Sequence, residues 1–381
     1  MAKLVFWACC IVLLYVYVLY PLLVRLLARR IGLSIARGDC LPSVTIIVTA
    51  YNEEKSMQAK LDNLSGLNYP KELVRILVAS DGSSDQTDAI AAAYDPKVVT
   101  VLRLEGRRGK TACQNAAAAA ASGEILLFTD ATTLLQADAL RNIVENFNDP
   151  QVGCVGGRLV YVTDLENATG RGGETYWSYE LQLRSAESGL GSLIGVSGCL
   201  YAVRRTAYLP IDPSLISDFV VAMKMREQNL RTVLAPNAVC FEATLEHGSL
   251  ELAMRVRVAV RSLNALIHER RFLNPWRYGY FAWQLWSHKA LRYASPLLWM
   301  GALAANLVLV RNNPYSAYIV LLGGQIVILA AGTVGFMLQG KRRDLGIFGK
   351  PYYFLLANVA ALIATLRYMR GERMVTWNPI R

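Results

Sequence analysis

The sequence predicts an α/β fold with a largely parallel sheet, joined to transmembrane and interfacial helices, and three observations carry that prediction. Short apolar runs alternate with helix-like stretches between residues 43 and 130, the pattern of βαβ units. Long apolar segments gather near the two ends of the 381 residues. The mean hydropathy of +0.28 is high for a chain without lipid-facing surface.

The first apolar segment runs from Leu4 to Leu27, broken by Pro21 and Arg25. It matches the roughly 20 residues needed to cross a hydrocarbon core. A cleaved signal peptide would be shorter, with a small-residue cleavage site. Here the run leads into Arg25, Arg29, Arg30 and Arg37, so residues 1–30 read as an uncleaved anchor. The basic flank puts residue 38 onward in the cytoplasm.

Strands are expected at Val44 to Thr49, Arg75 to Ala79, Val98 to Leu102 and Ile125 to Thr129. In parallel sheets ligands bind beyond the carboxyl ends of the strands, which gives weight to Tyr51 to Glu54, Asp81 to Asp85 and Asp130 to Thr132. The alanine run 116–121 reads as a helix between strands, alanine being the best helix former. Glycines in 153–160 and 195–205 suit either tight turns or close approach to a ligand.

Past His247 the text mixes apolar and basic residues at helical spacing over 250–271, and an aromatic cluster from Trp276 to Trp286 comes next. This reads as interfacial helices, 251–292, with an aromatic belt. Spans are expected at about 294–310, 315–338 and 352–369. The resulting division is a 1–30 anchor, a 42–250 cytoplasmic α/β domain, 251–292 interfacial helices, a 293–370 membrane region and a basic 371–381 tail. Lys341, Arg342, Arg343 and Lys350 before the last segment and Arg370, Arg373 and Arg381 after it pull both flanks to one side. The last segment therefore crosses against the charge bias, lies in the interface or re-enters.

The net charge of +11 invites a nucleic-acid partner, but the basic residues cluster beside apolar segments, where anionic headgroups account for them. No aromatic-basic interleaving marks a nucleic-acid groove. Seven cysteines without a CxxC pair argue against zinc and against a disulfide framework. The three histidines show no ligand spacing, and the Asn167–Thr169 sequon has no meaning in a cytoplasmic domain. The LEGRRGKTACQN segment is not a Walker A loop, since the required first glycine is Leu104. Its Arg107, Arg108 and Lys110 can still meet phosphate charge.

Three acid-bearing strand ends remain: SVTIIVTAYNEE, ILVASDGSSDQT and EILLFTDATT. For Asp81 and Asp85 the plain alternative is capping of the following helix. Asp130, ending a strongly apolar strand, can hold a divalent metal bridging a diphosphate. In order and spacing these segments resemble the family 2 glycosyltransferases, more closely the membrane-bound members with a long carboxyl-terminal membrane region.

The resemblance implies a GT-A catalytic fold and places Tyr51 and Glu53 at the border of the nucleotide. It puts Asp81 on the base or ribose and Lys110 near the diphosphate. Asp130 matches the first carboxylate of the family's DxD motif. The third position is Thr132, a weaker ligand for the expected Mn²⁺ or Mg²⁺. SDF at 217–219 resembles the region that supplies the catalytic base, with Asp218 at the base position and helix capping as the plain alternative. Where processive relatives carry QxxRW, this chain has Met254, Arg257 and Val258. Arg257 and Arg261 share a helical face and could neutralise a departing diphosphate; snorkelling to headgroups is the alternative for Arg255 and Arg261.

The resemblance thus implies an inverting transferase, hexosyl or N-acetylhexosaminyl, moving a sugar from a nucleotide-sugar donor, expected to be a UDP-sugar. The acceptor would be a lipid or lipid-linked glycan at the membrane. A processive polysaccharide synthase and a non-catalytic nucleotide-sugar sensor stay open, as does oligomer formation. A transporter is disfavoured, because the expected spans carry almost no charge before Arg367.

Overall fold

The structure, a computed structural model, describes residues 1–162, 174–243, 248–313, 316–339 and 346–374. The sequon, His247 and the Lys341–Arg343 cluster lie outside the described residues. The chain divides into two units: Leu27–Thr244, which carries the sheet, and Met1–Leu26 with Leu245–Arg373, which is helical.

The sheet unit contains β1 (Val44–Ala50), β2 (Val74–Ser80), β3 (Val99–Arg103) and β4 (Ile125–Asp130). It continues with β5 (Leu134–Leu135), β6 (Val152–Val162), β7 (Leu200–Arg204) and β8 (Arg231–Ala243). Among the described residues they form one eight-stranded sheet in the order β3-β2-β1-β4-β7-β6-β8-β5. The pairs β1/β2, β1/β4 and β2/β3 are parallel, and β7 runs antiparallel to both β4 and β6.

The first four strands are where the apolar runs predicted them; β1, β2 and β4 are covered on both faces, and such strands carry near-continuous β-branched and aliphatic side chains. All seven residues of β1 are buried. In β4 burial is relieved only at Asp130, which leaves that carboxylate at the strand tip.

The glycine-rich stretches resolve into strands. Residues 153–160 lie in β6, and 200–204 of the 195–205 stretch form β7. Phe128 faces Tyr201 across the antiparallel β4/β7 seam. Their rings stack at 4.8 Å and 14°, a pair contributing about 0.5–1.5 kcal/mol beyond area burial. The seam sets Leu200 opposite Thr129, so the 197–199 turn arrives beside Asp130.

The sheet unit begins before residue 42. Leu33 N–H donates to Gly189 O at 2.8 Å, and the Arg231 guanidinium donates to the Ser34 carbonyl at 3.2 Å, so residues 33 and 34 are tied to the unit through their backbone groups.

Among the described residues four helices are long and apolar enough to cross a membrane: Ala2–Ile31, Tyr280–Asn312, Tyr318–Leu338 and Gly346–Met369. The aromatic segment from Tyr280 continues helically into the expected 294–310 span, through a π-helical turn at Trp286–Ala290. A second π-helical turn lies at Tyr15–Leu19. Tyr15 and Ser287 hydroxyls pair at 2.7 Å, and Trp283 Nε1 donates to Tyr15 at 2.7 Å. Such pairing satisfies part-buried polar groups on otherwise apolar helices.

Candidate active site

The site is built where the strand tips of β1, β2 and β4 meet the turn before β7. After β1 the chain enters a left-handed residue at Asn52, φ 53°, a conformation asparagine tolerates. Its side chain then laces the first tip to the second: Ser84 N–H donates to Asn52 Oδ1 at 2.8 Å and Asn52 Nδ2 donates to Ser84 Oγ at 3.2 Å. Further along, Glu53 N–H donates to Thr87 Oγ1 at 2.7 Å and Glu54 N–H to Asp85 Oδ2 at 3.1 Å.

Asp81 is wholly buried. Its carboxylate accepts the Arg108 N–H at 2.7 Å and the Gly109 N–H at 3.0 Å. The residue implied to touch base or ribose therefore also holds the GRRGK loop in place. Gly82 makes this possible: its φ is +73°, and an added Cβ would stand 2.9 Å from Gly106 O, a clash no side chain could accept. Helix capping falls to Asp85, whose Oδ1 accepts the Thr87 N–H at 3.0 Å at the start of the Thr87–Ala92 helix.

Tyr51 is half-buried, and the Arg107 guanidinium lies over its ring at 3.9 Å. Glu53 is buried, with Ser56 Oγ donating to Oε2 at 2.9 Å.

Lys110 opens the Lys110–Ala120 helix and joins three predicted features. Its ammonium pairs with Asp130 Oδ1, and it donates to Gly198 O at 3.3 Å. A Cβ on Gly198 would meet Asp218 Oδ2 at 2.8 Å and Lys110 Nζ at 3.3 Å, so the glycine leaves room for both groups. Burial alone would lower the Lys110 ammonium. The Asp130 carboxylate, reinforced by Asp218, carries it above its ordinary value.

Asp218 sits in the first turn of the Ser217–Glu227 helix, which Ile216 precedes without a side-chain cap. Its carbonyl accepts the Val196 N–H at 2.9 Å. Asn115 and Thr111 of the Lys110 helix bond Ile211 O at 2.6 Å and Leu215 O at 2.7 Å. These bonds fix the segment leading into Asp218 against the helix that carries Lys110.

One acid escaped the sequence reading. The β5/β8 register pairs Leu134 with Phe241, so Glu242 stands beside the DATT turn. Thr132 Oγ1 reaches Glu242 Oε1 at 3.5 Å, and Cys199 Sγ reaches Oε2 at 3.8 Å. Burial, then the Asp130 charge, push Glu242 up to about 7. No local motif signals it, since Glu242 lies 110 residues from Thr132 and only strand pairing joins them.

The donor set suits a hard divalent cation. Among the described residues no group of three or more His, Cys, Asp or Glu side chains is arranged for a metal. Mg²⁺-type sites, however, commonly use one or two carboxylates with water and substrate phosphates, and Asp130 with Glu242 offers that pair.

Arg257 and Arg261 lie on the Gly248–His268 helix of the other unit, Arg261 buried and Arg257 partly so. Arg255 pairs with Glu251 at 2.7 Å and lies over Tyr353 at 5.6 Å. A snorkelling role thus fits neither Arg255, which is ion-paired, nor Arg261, which is buried. Val258 is 44% exposed. The seven cysteines are free, and Cys113, Cys154 and Cys240 are buried.

Residues 45–209 match the profile described as Glycosyl transferase family 2. The chain is 26% identical over 213 residues to a poly-beta-1,6-N-acetyl-D-glucosamine synthase of Staphylococcus aureus (strain COL), covering 53% of this chain and 50% of that protein. It is 28% identical over 226 residues to an N-acetylglucosaminyltransferase of Rhizobium sp. (strain N33), covering 53% and 48%. The chain thus spans about half the length of the curated relatives it matches. A mannosyltransferase from Pyrobaculum calidifontis, solved with GDP-Man and Mn²⁺, shares the fold with a TM-score of 0.73 at 23% identity, over 98% of this chain and 100% of that one. The predicted strand tips are assembled on a GT-A sheet and the family profile spans them, so residues 45–209 carry a glycosyl transferase family 2 domain.

Proposed function

We propose that this chain is an inverting glycosyltransferase that moves a sugar from a nucleotide-sugar donor to an acceptor held at the membrane, adding one or a few residues. The observation that carries the reading is the convergence of Lys110, Asp130 and Asp218 around Gly198. A diphosphate leaving group needs cationic charge beside it, and the attacking hydroxyl needs a carboxylate base.

Asp218 takes the proton of the acceptor hydroxyl as that oxygen bonds to the anomeric carbon. The bond from that carbon to the nucleotide diphosphate breaks at the same time, and the configuration inverts. Lys110, with Arg107 and Arg108 on the adjoining loop, faces the negative charge that develops on the diphosphate. Tyr51 and Glu53 border the nucleotide, and Asp81 acts through the loop it holds. Asp130 and Glu242 would hold a divalent cation, Mn²⁺ or Mg²⁺, which when bound neutralises diphosphate charge. The four apolar helices support a multi-pass membrane protein, and the Arg25–Arg37 flank favours a cytoplasmic sheet unit.

The donor reading favours UDP-N-acetylhexosamine, because relatives named for poly-N-acetylglucosamine synthesis and N-acetylglucosaminyl transfer share about half this chain. Those names also favour a second reading, a processive polysaccharide synthase. Against it stand Met254 and Val258 at the positions where processive relatives carry Gln and Trp. Stacking on an aromatic is worth on the order of 1–3 kcal/mol per base in nucleic-acid sites. Losing a comparable platform shortens residence about tenfold to a hundredfold.

Purified protein given excess labelled nucleotide sugars and membrane lipid extract should make discrete short glycolipids resolvable by mass spectrometry. A high-molecular-weight polymer of one repeating sugar would promote the synthase. Binding with neither transfer nor donor hydrolysis would make the chain a sensor.

A further inference from the structure

We propose that Lys60 is a positioning residue that holds the Asp130–Thr133 turn in the geometry that receives the cation; the proposal rests on the reading of Asp130 as a cation-facing carboxylate. Lys60 lies on the Glu54–Ser65 helix and is wholly buried, among Met57, Leu61 and Leu64. An apolar side chain would fill such a position without the desolvation that a buried ammonium incurs. The lysine is instead fully engaged.

Its Nζ donates to Thr129 Oγ1 at 2.8 Å, to Thr133 O at 2.6 Å and toward Thr133 Oγ1 at 3.4 Å. These oxygens bracket Asp130 on both sides. The two threonine hydroxyls are 3.1 Å apart, Thr133 Oγ1 donates to Asp130 O at 3.1 Å, and Thr129 Oγ1 bonds Cys199 O at 2.9 Å. One ammonium therefore ties the helix after β1 to the end of β4, to the turn beyond it and to the residue before β7. Those are the segments whose relative placement aims Asp130.

The direction of the mutant effect separates this role from its rivals. By charge alone, removing a lysine near a cation site tightens cation binding. A space-filling lysine leaves binding unchanged when replaced by methionine. A positioning lysine, once removed, weakens binding because the carboxylate is no longer held.

Mn²⁺ alone, titrated into the full-length protein in detergent and followed by electron paramagnetic resonance, reads this directly in wild type, Asp130→Ala, Lys60→Met and Lys60→Gln. Lys60→Met should weaken Mn²⁺ about tenfold, the lower end of what outer-sphere partners of metal ligands contribute, with an unchanged or raised unfolding midpoint. Lys60→Gln, which keeps an N–H donor, should recover part of the affinity. Wild-type or tighter Mn²⁺ binding in Lys60→Met, with Asp130→Ala weakened, would overturn the Lys60 role alone. So would a loss of affinity accompanied by a matching fall in midpoint. Wild-type binding in Asp130→Ala would overturn the cation reading, and the Lys60 role with it.

Discussion

The parallel half of the sheet, β3-β2-β1-β4, and the mixed half, β7-β6-β8-β5, use their acids differently. In the parallel half Asp81 accepts the Arg108 N–H and Asp85 the Glu54 N–H, both from neighbouring segments, and Glu54 accepts the Gln86 N–H at 3.2 Å. Those carboxylates set loop shape. Around the mixed half, Asp218 and Glu242 approach the Lys110–Asp130 pair through their side chains. Asp130 stands on the border, at the end of β4. The lesson is that an acid at a strand tip signals a site but not its role: Asp81, Asp85 and Glu54 are engaged by backbone donors, and Asp130 by the Lys110 ammonium.

If that division holds, the largest effect belongs to Asp218→Asn. Turnover should fall by about 10²–10⁴, the usual range for a general base, while calorimetry with UDP finds binding nearly intact. Parallel loss of binding and rate would move Asp218 into the loop-shaping group.

Next comes the border residue. Asp130→Ala, or excess EDTA on the wild type, should slow transfer by about a hundredfold or more, and Mn²⁺ or Mg²⁺ should restore the chelated enzyme. Full activity in EDTA would leave Asp130 as the partner of Lys110 and nothing more.

Asp81→Ala tests the other side of the comparison. The buried Gly109 N–H and the Arg108 N–H lose a charged acceptor, so the unfolding free energy should drop by about 2–3 kcal/mol, with nucleotide affinity falling as the loop loosens. Unchanged denaturant unfolding with lost nucleotide binding would return Asp81 to direct contact with the donor.

The Glu242 assignment sharpens the border further. Glu242→Gln should weaken Mn²⁺ by about tenfold or more, and adding Thr132→Asp in that background should restore it by putting the second carboxylate back in the DxD position. A double variant no better than Glu242→Gln would count against a shared cation.

The smallest effect is a pH slope. Burial lowers Lys60 from its ordinary 10.5 to about 7, so between those values the unfolded chain binds more protons than the folded one. Stability must then rise with pH across that window and fall as pH drops toward 7. Between pH 7 and about 8, below the ordinary cysteine pKa of about 8.5, metal-free wild type should gain about 1 kcal/mol that Lys60→Met lacks. Equal slopes in the two proteins would place the lysine in a more solvated setting.

Much of this was readable from the residues in order. Apolar runs of β-branched and aliphatic side chains marked β1 to β4, because a strand buried on both faces has little choice of side chain. The same logic marked the apolar helices near the two ends, and the strand tips singled out Tyr51, Asp81 and Asp130 as candidates. The reading failed where pairing is distant. The 153–160 glycines gave no strand signal, since glycine is poor in strands, yet they lie in β6.

By itself, then, the sequence determined the βαβ half, the family resemblance and the acids on offer, all of which depend on local composition and spacing. Tertiary structure alone decided that Asp81 binds a loop, that Glu242 stands beside Thr132, and that Lys60 lies under Asp130. These are contacts between residues 27 to 110 positions apart, fixed by strand register and by the requirement that each buried polar group find a partner.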